Sequence, residues 1–159
     1  MESVQLLLVD DEPAFLGTMA KRLGRRNFGV RTASGGLEAL ELLSDGGEEI
    51  EVVILDVKMP RMDGIETLTE IKRRHPLVEV IMLTGHGTVG SAIDGMKRGA
   101  FDYLMKPCDM KVLENKVREA AERRRRQEKK IVEARVQDLA RRAGGTADSS
   151  GEPSGQPTE

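Results

Sequence analysis

The chain has no tryptophan, a single cysteine and only 3% aromatic residues among 159. Without aromatic mass the core must be aliphatic, with eight methionines available to fill its gaps. The lone cysteine, Cys108, excludes an internal disulfide and agrees with a reducing compartment. No apolar run approaches the roughly 18–20 residues of a membrane span, and no basic-then-apolar leader precedes the first strand pattern. The expectation is a cytoplasmic protein that does not use a membrane. No glycine-rich phosphate loop follows the first apolar run, which argues against a nucleotide-binding module.

What is present is enough for one folded domain with an appendage. Hydrophobic residues make up 38% of the chain and charged residues 33%. The net charge of −2 hides an asymmetry. Residues 1–115 carry 19 acids and 14 bases, residues 116–142 carry 11 bases and 5 acids, and residues 143–159 carry three acids and no base. A mildly acidic domain, a basic segment and an acidic tail thus follow one another.

Apolar runs and helical periods alternate five times. Strands are expected at 4–9, 30–33, 50–55, 78–83 and 103–105. Between them, Pro13 suits a helix start ahead of Phe15, Met19 and Leu23, and Ser34 suits a cap ahead of Leu37, Leu40 and Leu43. Met59-Pro60-Arg61-Met62-Asp63-Gly64 is a turn leading into a helix with Ile65, Leu68 and Ile71, and a fourth helix carries Ala92, Ile93 and Met96. Asp109 can cap a fifth. Near-continuous apolar strands separated by helices predict an α/β fold, a doubly wound parallel sheet covered on both faces. Ligands of such sheets bind outside the carboxyl ends of the strands, at the switch point in strand order. Asp10, Asp11, Asp56, Thr84 and Lys106 all follow predicted strands and converge on that edge.

Two strands ending in acid would crowd carboxylates into one crevice, where each raises the other's pKa unless a cation holds them. Mg²⁺ takes one or two carboxylates and keeps several waters. Asp11 and Asp56 can supply the carboxylates, with Asp10 acting through a water. Lys106 adds a positive point charge and Thr84 a hydroxyl. A carboxylate surrounded by a metal, a cation and a hydroxyl is equipped as a nucleophile for phosphoryl transfer.

Asp10-Asp11, Asp56 followed by Met59-Pro60 and Asp63-Gly64, Leu83-Thr84-Gly85, Gly99-Ala100, Tyr103 and Lys106-Pro107 together resemble the receiver domain of two-component response regulators. The resemblance covers residues 3–122. It implies a flavodoxin-like five-stranded sheet in the order 2-1-3-4-5. It implies Asp56 as the phosphoacceptor, phosphorylated by a sensor histidine kinase or a phosphotransfer protein. Mg²⁺ would be held by Asp10, Asp11, Asp56 and the backbone carbonyl of Lys58. Thr84 and Tyr103 would form the switch, with Lys106 on the phosphoryl group and a cis bond before Pro107. Lys58 and His86, each two residues beyond a pocket residue, would tune the lifetime of the phosphoryl group. The family's usual contact face would lie at 89–99, 103–105 and 110–121, and would reach a downstream protein or a second copy.

The resemblance also implies a switch rather than an enzyme, limited to its own phosphorylation and dephosphorylation. A small Mg²⁺-dependent phosphatase is the alternative, but such hydrolases typically place a second acid two residues after the nucleophile, where this chain has Lys58. No output domain is expected within the 159 residues. Beyond the domain, a basic helical extension is expected at 123–143 and a disordered acidic tail at 144–159, with Gly144-Gly145 ending the helix. The extension has three readings: a solvated helix, pairing through Val132, Val136 and Leu139, or binding of an acidic partner through Arg123-Arg124-Arg125-Arg126. No recognition motif or interleaved aromatic favours nucleic acid.

Overall fold

The computed structural model describes residues 3–45 and 49–150, with backbone alone for 145–150. Five strands and five helices alternate: β1 (Gln5–Val9), α1 (Pro13–Gly24), β2 (Gly29–Ala33), α2 (Gly36–Ser44), β3 (Val52–Leu55), α3 (Gly64–Arg74), β4 (Glu79–Thr84), α4 (Val89–Lys97), β5 (Asp102–Met105) and α5 (Met110–Ser150). The sheet is parallel throughout and ordered β2-β1-β3-β4-β5, as expected. The chain steps outward from β1 to β2, then returns to the other side of β1 for β3. The switch point therefore lies between β1 and β3.

Alternation along the strands divides the core in two. Leu7, Val9, Val53, Leu55, Val80 and Met82 face one side with Leu40, Leu68 and Ile71 of α2 and α3. Leu6, Leu8, Val52, Ile54, Ile81 and Leu83 face the other with Leu23 of α1 and Leu113 and Val117 of α5. With both faces covered, β3 and β4 are buried along their whole length, which is why they lack a polar alternation.

Several local expectations shift. Ser34 does not cap α2. Gly35 stands at that N-cap with no side-chain bond, while the Ser34 N–H and hydroxyl donate to Glu38 Oε1 at 2.7 and 3.0 Å. The helix starts later because it packs tightly on α3. A Cβ on Gly36 would collide with the Thr67 hydroxyl and sit 3.2 Å from Met62 Sδ. Gly144-Gly145 does not end α5, which continues to Ser150. A glycine costs a helix about 1 kcal/mol but does not sterically forbid it. Residues 151–159 of the expected tail lie outside the described residues.

The chain forms two compact units, Met1–Arg124 and Arg125–Glu159. The first holds the sheet. Its last two residues pair with acids at the amino-terminal edge of the sheet: Arg123 Nε lies 3.0 Å from Glu79 Oε2 at the start of β4, and Arg124 pairs with Glu49, ahead of β3, at 3.6 Å. The second unit exposes Ile131, Val132, Val136 and Leu139, and Arg141 and Arg142 pair with Asp138 at 3.3 and 3.1 Å.

Candidate functional site

The register of β1 on β3 pairs Val9 with Leu55, so the residues that follow, Asp10 and Asp56, emerge side by side at the switch point. Both backbones stay locked to the sheet: Asp56 N donates to Val9 O at 3.1 Å, and Asp10 N to Ala33 O at 3.2 Å. Asp10 is 1% exposed and Asp56 2%, whereas Asp11 is exposed at the mouth. One ligand oxygen from each of the three lies within 4.8 Å of the others.

Lys106 reaches this cluster from the loop after β5, where its N–H donates to Thr84 O at 2.8 Å and the bond to Pro107 is cis, as expected. Its side chain is 16% exposed. The ammonium lies 2.7 Å from Asp10 Oδ2, 3.4 Å from Glu12 Oε1 and 3.8 Å from Asp56 Oδ2. Burial alone would lower the Lys106 pKa, but the hydrogen bond and charge of Asp10, then Asp56 and Glu12, raise it overall. The lysine is therefore fully charged.

Asp56 is the strained member. Burial pushes its pKa up; the Thr84 hydroxyl opposes that, the Asp10 charge adds to it, and Lys106 and the Val57 N–H pull it back only in part. Its two oxygens differ. Oδ1 accepts the Val57 N–H at 2.8 Å, while Oδ2 faces Lys106. Asp10 Oδ1 accepts the Glu12 N–H at 3.0 Å, leaving Oδ2 to the lysine. Two crowded acids with one cation between them form a donor set that suits a small, hard divalent ion. Such an ion would relieve both the desolvation of Asp56 and its repulsion by Asp10.

Thr84 is buried at the end of β4, and its hydroxyl accepts the His86 N–H at 3.0 Å. Tyr103 is half-buried on β5 and turned toward α4, where its hydroxyl lies 2.6 Å from Ser91 Oγ. Ser91 belongs to the capping box of α4 with Thr88, so the tyrosine is tied to that helix start. The side chains of Lys58 and His86 are both exposed, and among the described residues neither forms an ion pair with the acids. Asp63 and Gly64 act from below: Asp63 caps α3 in a reciprocal box with Glu66, and the Gly64 N–H donates to Val57 O at 2.7 Å.

Three residues at the site are not evident as such in the sequence. Glu12 is the third acid on Lys106, foreshadowed only by its place after Asp10-Asp11. Ser91 carries no signal beyond a helix start. Phe15 has the period of a core residue, yet its ring centroid lies 3.8 Å from the Lys106 ammonium.

A doubly wound parallel sheet with a carboxylate–lysine pocket at its switch point defines a class of small α/β proteins with a charged crevice at the carboxyl edge of the sheet. Comparison with known proteins narrows this. The family model of the response regulator receiver domain matches residues 6–118. The transcriptional regulatory protein ZraR of Klebsiella oxytoca is 36% identical over 132 residues, which is 83% of this chain and 29% of that protein. A crystal structure of a response regulator receiver domain protein from Clostridium thermocellum superposes with a TM-score of 0.73 at 38% identity, covering 77% of this chain and 97% of that one. A Burkholderia pseudomallei response regulator, crystallised with a phosphorylated aspartic acid, calcium ion and citrate, superposes with a TM-score of 0.68 at 28% identity, covering 79% and 73%.

The chain belongs to the response regulator receiver family of two-component signalling. It spans less than a third of the length of the curated relative named above. Membership implies contact with histidine kinases or phosphotransfer proteins, and receiver domains generally bind Mg²⁺ in an acidic pocket. Among the described residues no helix is long and apolar enough to cross a membrane.

Proposed function

We propose that the chain is a phosphorylation switch in which Asp56 accepts a phosphoryl group from a phosphohistidine of a kinase or phosphotransfer protein. The observation that carries this is the state of Asp56: a 2%-exposed carboxylate with a raised pKa, wedged between Asp10 and Lys106 at the switch point. An oxygen of Asp56 forms the new P–O bond as the P–N bond of the donor breaks, and the histidine nitrogen keeps the bonding pair. Oδ2 is the candidate, because Oδ1 is held by Val57 N–H.

Asp11, Asp56 and the Lys58 carbonyl would ligate Mg²⁺, with Asp10 supporting, and the ion would neutralise charge on the phosphoryl oxygens. Lys106 stands ready to leave Asp10 for those oxygens, and Thr84 offers a hydroxyl to them. In this reading Thr84 turns toward the phosphoryl group, and Tyr103 gives up Ser91 to follow it. That change alters the face built from α4, β5 and the start of α5, where Val89, Ile93, Met96, Met105 and Val112 are exposed. Lys58 and His86, both exposed at the rim, set how readily water reaches the phosphoryl group.

The turnover is confined to the protein's own phosphorylation and dephosphorylation. Incubation with acetyl phosphate and Mg²⁺ should label the chain stoichiometrically, and Asp56→Asn should abolish the label. Many turnovers on free phosphoesters would instead identify a hydrolase and overturn the reading.

A further inference from the structure

Lys106 has more freedom than its task allows. Its ammonium ends a flexible four-carbon stem, and three acids, Asp10, Glu12 and Asp56, attract it from different directions. An uncharged wall of its site is the ring of Phe15, 3.8 Å from Nζ to centroid. Phe15 lies in the first turn of α1 and packs on the core cluster shared by α1 and α5, so the core fixes the ring independently of the ammonium. A cation over a ring face is attracted by the ring quadrupole, more strongly where water is excluded. The ring also offers no lone pair to draw an N–H away from the acids.

We propose that Phe15 is a positioning residue for phosphoryl transfer at Asp56: its ring supports the Lys106 ammonium within the pocket, keeping its N–H donors available where phosphoryl oxygens arrive. The proposal rests on Asp56 as phosphoacceptor. Without the ring, the lysine is free to follow Glu12, whose side chain is 63% exposed, out toward solvent. Attraction to a face rather than to one atom also lets the ammonium pivot from Asp10 to the new oxygens without leaving its support.

The test uses the full chain with Mg²⁺ and acetyl phosphate, following the initial rate of Asp56 labelling. Phe15→Leu should slow labelling about 5- to 30-fold, the loss of one partly desolvated cation–ring contact, while Phe15→Tyr and Phe15→Trp retain most of the rate. Mono-, di- and trifluorophenylalanine at position 15 keep the ring's outline and withdraw its electron density. The rate should fall stepwise with each fluorine. In Mg²⁺-free protein, the ε-methylene protons of Lys106 should show an upfield ring-current shift that Phe15→Leu removes.

A flat fluorine series, or Phe15→Leu at the parental rate, overturns the role of the ring while Asp56→Asn still abolishes the label. If the unaltered chain takes no label, the phosphoacceptor reading itself fails and this proposal falls with it. Because the fluorinated variants preserve packing, a folding defect in Phe15→Leu does not decide the matter.

Discussion

Gly64→Ala should damage stability and phosphorylation together, through one displaced atom. A Cβ on Gly64 would fall well inside contact distance of the Asp56 carbonyl oxygen, 2.7 Å from Val57 Cα and 2.8 Å from the Asp56 carbonyl carbon. Carbon atoms pack best about 3.5–4.0 Å apart, so the chains must part by about 1 Å. Every atom met is backbone, and none can swing aside as a side chain would. Overpacking of this kind costs about 1–3 kcal/mol. With a urea dependence of about 1–3 kcal/mol per molar, the unfolding midpoint should fall by about 1 M. The atom pushed is the carbonyl of the phosphoacceptor, and a misplacement of about 1 Å can cost roughly 100-fold in a reaction that depends on position. Labelling by acetyl phosphate should slow on that scale. Gly17→Ala is the control: that glycine lies inside α1 with nothing within 4 Å of an added Cβ. It should raise stability by roughly 0.5–1 kcal/mol and leave labelling unchanged. A Gly64→Ala protein with the parental midpoint and labelling rate would refute the claim that Gly64 seats α3 against the phosphoacceptor.

Asp56→Asn should raise the melting temperature at pH 7 in Mg²⁺-free buffer. Burial and Asp10 raise the Asp56 pKa in the folded state, so folding disfavours its charge; the penalty is absent below the ordinary value of 3.8, grows as pH rises through the raised folded value, and is complete above it. The gain should therefore vanish in acid, and equal melting temperatures at pH 7 would contradict the strain assigned to Asp56. Asp63→Ala removes the side-chain acceptor of the Glu66 N–H, one half of the α3 capping box, and should cost about 1 kcal/mol in urea unfolding. Arg123→Ala leaves buried Glu79, among the described residues, with Lys72 alone, 3.8 Å away. Because Arg123 is half exposed, the loss should be about 1–2 kcal/mol, below the range for a fully buried pair; an unchanged midpoint would place Arg123 among the solvated arginines.

Much of this was legible in the chain because it is local. Uninterrupted apolar runs such as Val52-Val53-Ile54-Leu55 require burial on both faces, and a parallel sheet provides it. An acid directly after such a run has to leave the sheet at its carboxyl edge. Asp10 and Asp56 are found there for that reason, while Thr84 closes β4 and Lys106 follows β5 at the same edge. What misled was also local. Ser34 is a good capping residue, but the packing of Gly36 on Thr67 sets where α2 begins. Glu79 opens β4 buried among apolar residues, which no strand pattern anticipates, because its partners Lys72 and Arg123 come from α3 and α5. Part of the arginine run is likewise paired with acids at the amino-terminal edge of the sheet.

Fold class and the inventory of the pocket can be read along the chain, since strand period and the residue following each strand depend only on near neighbours. How that inventory is arranged depends on packing between distant elements. Register places Asp10 beside Asp56, burial raises one pKa, and Lys106 crosses 96 residues of chain to settle on Asp10. The tertiary arrangement also sets Phe15, still packed on the core, against the Lys106 ammonium and Tyr103 against Ser91. Those relations join side chains from different elements, and no local pattern encodes which two elements will meet.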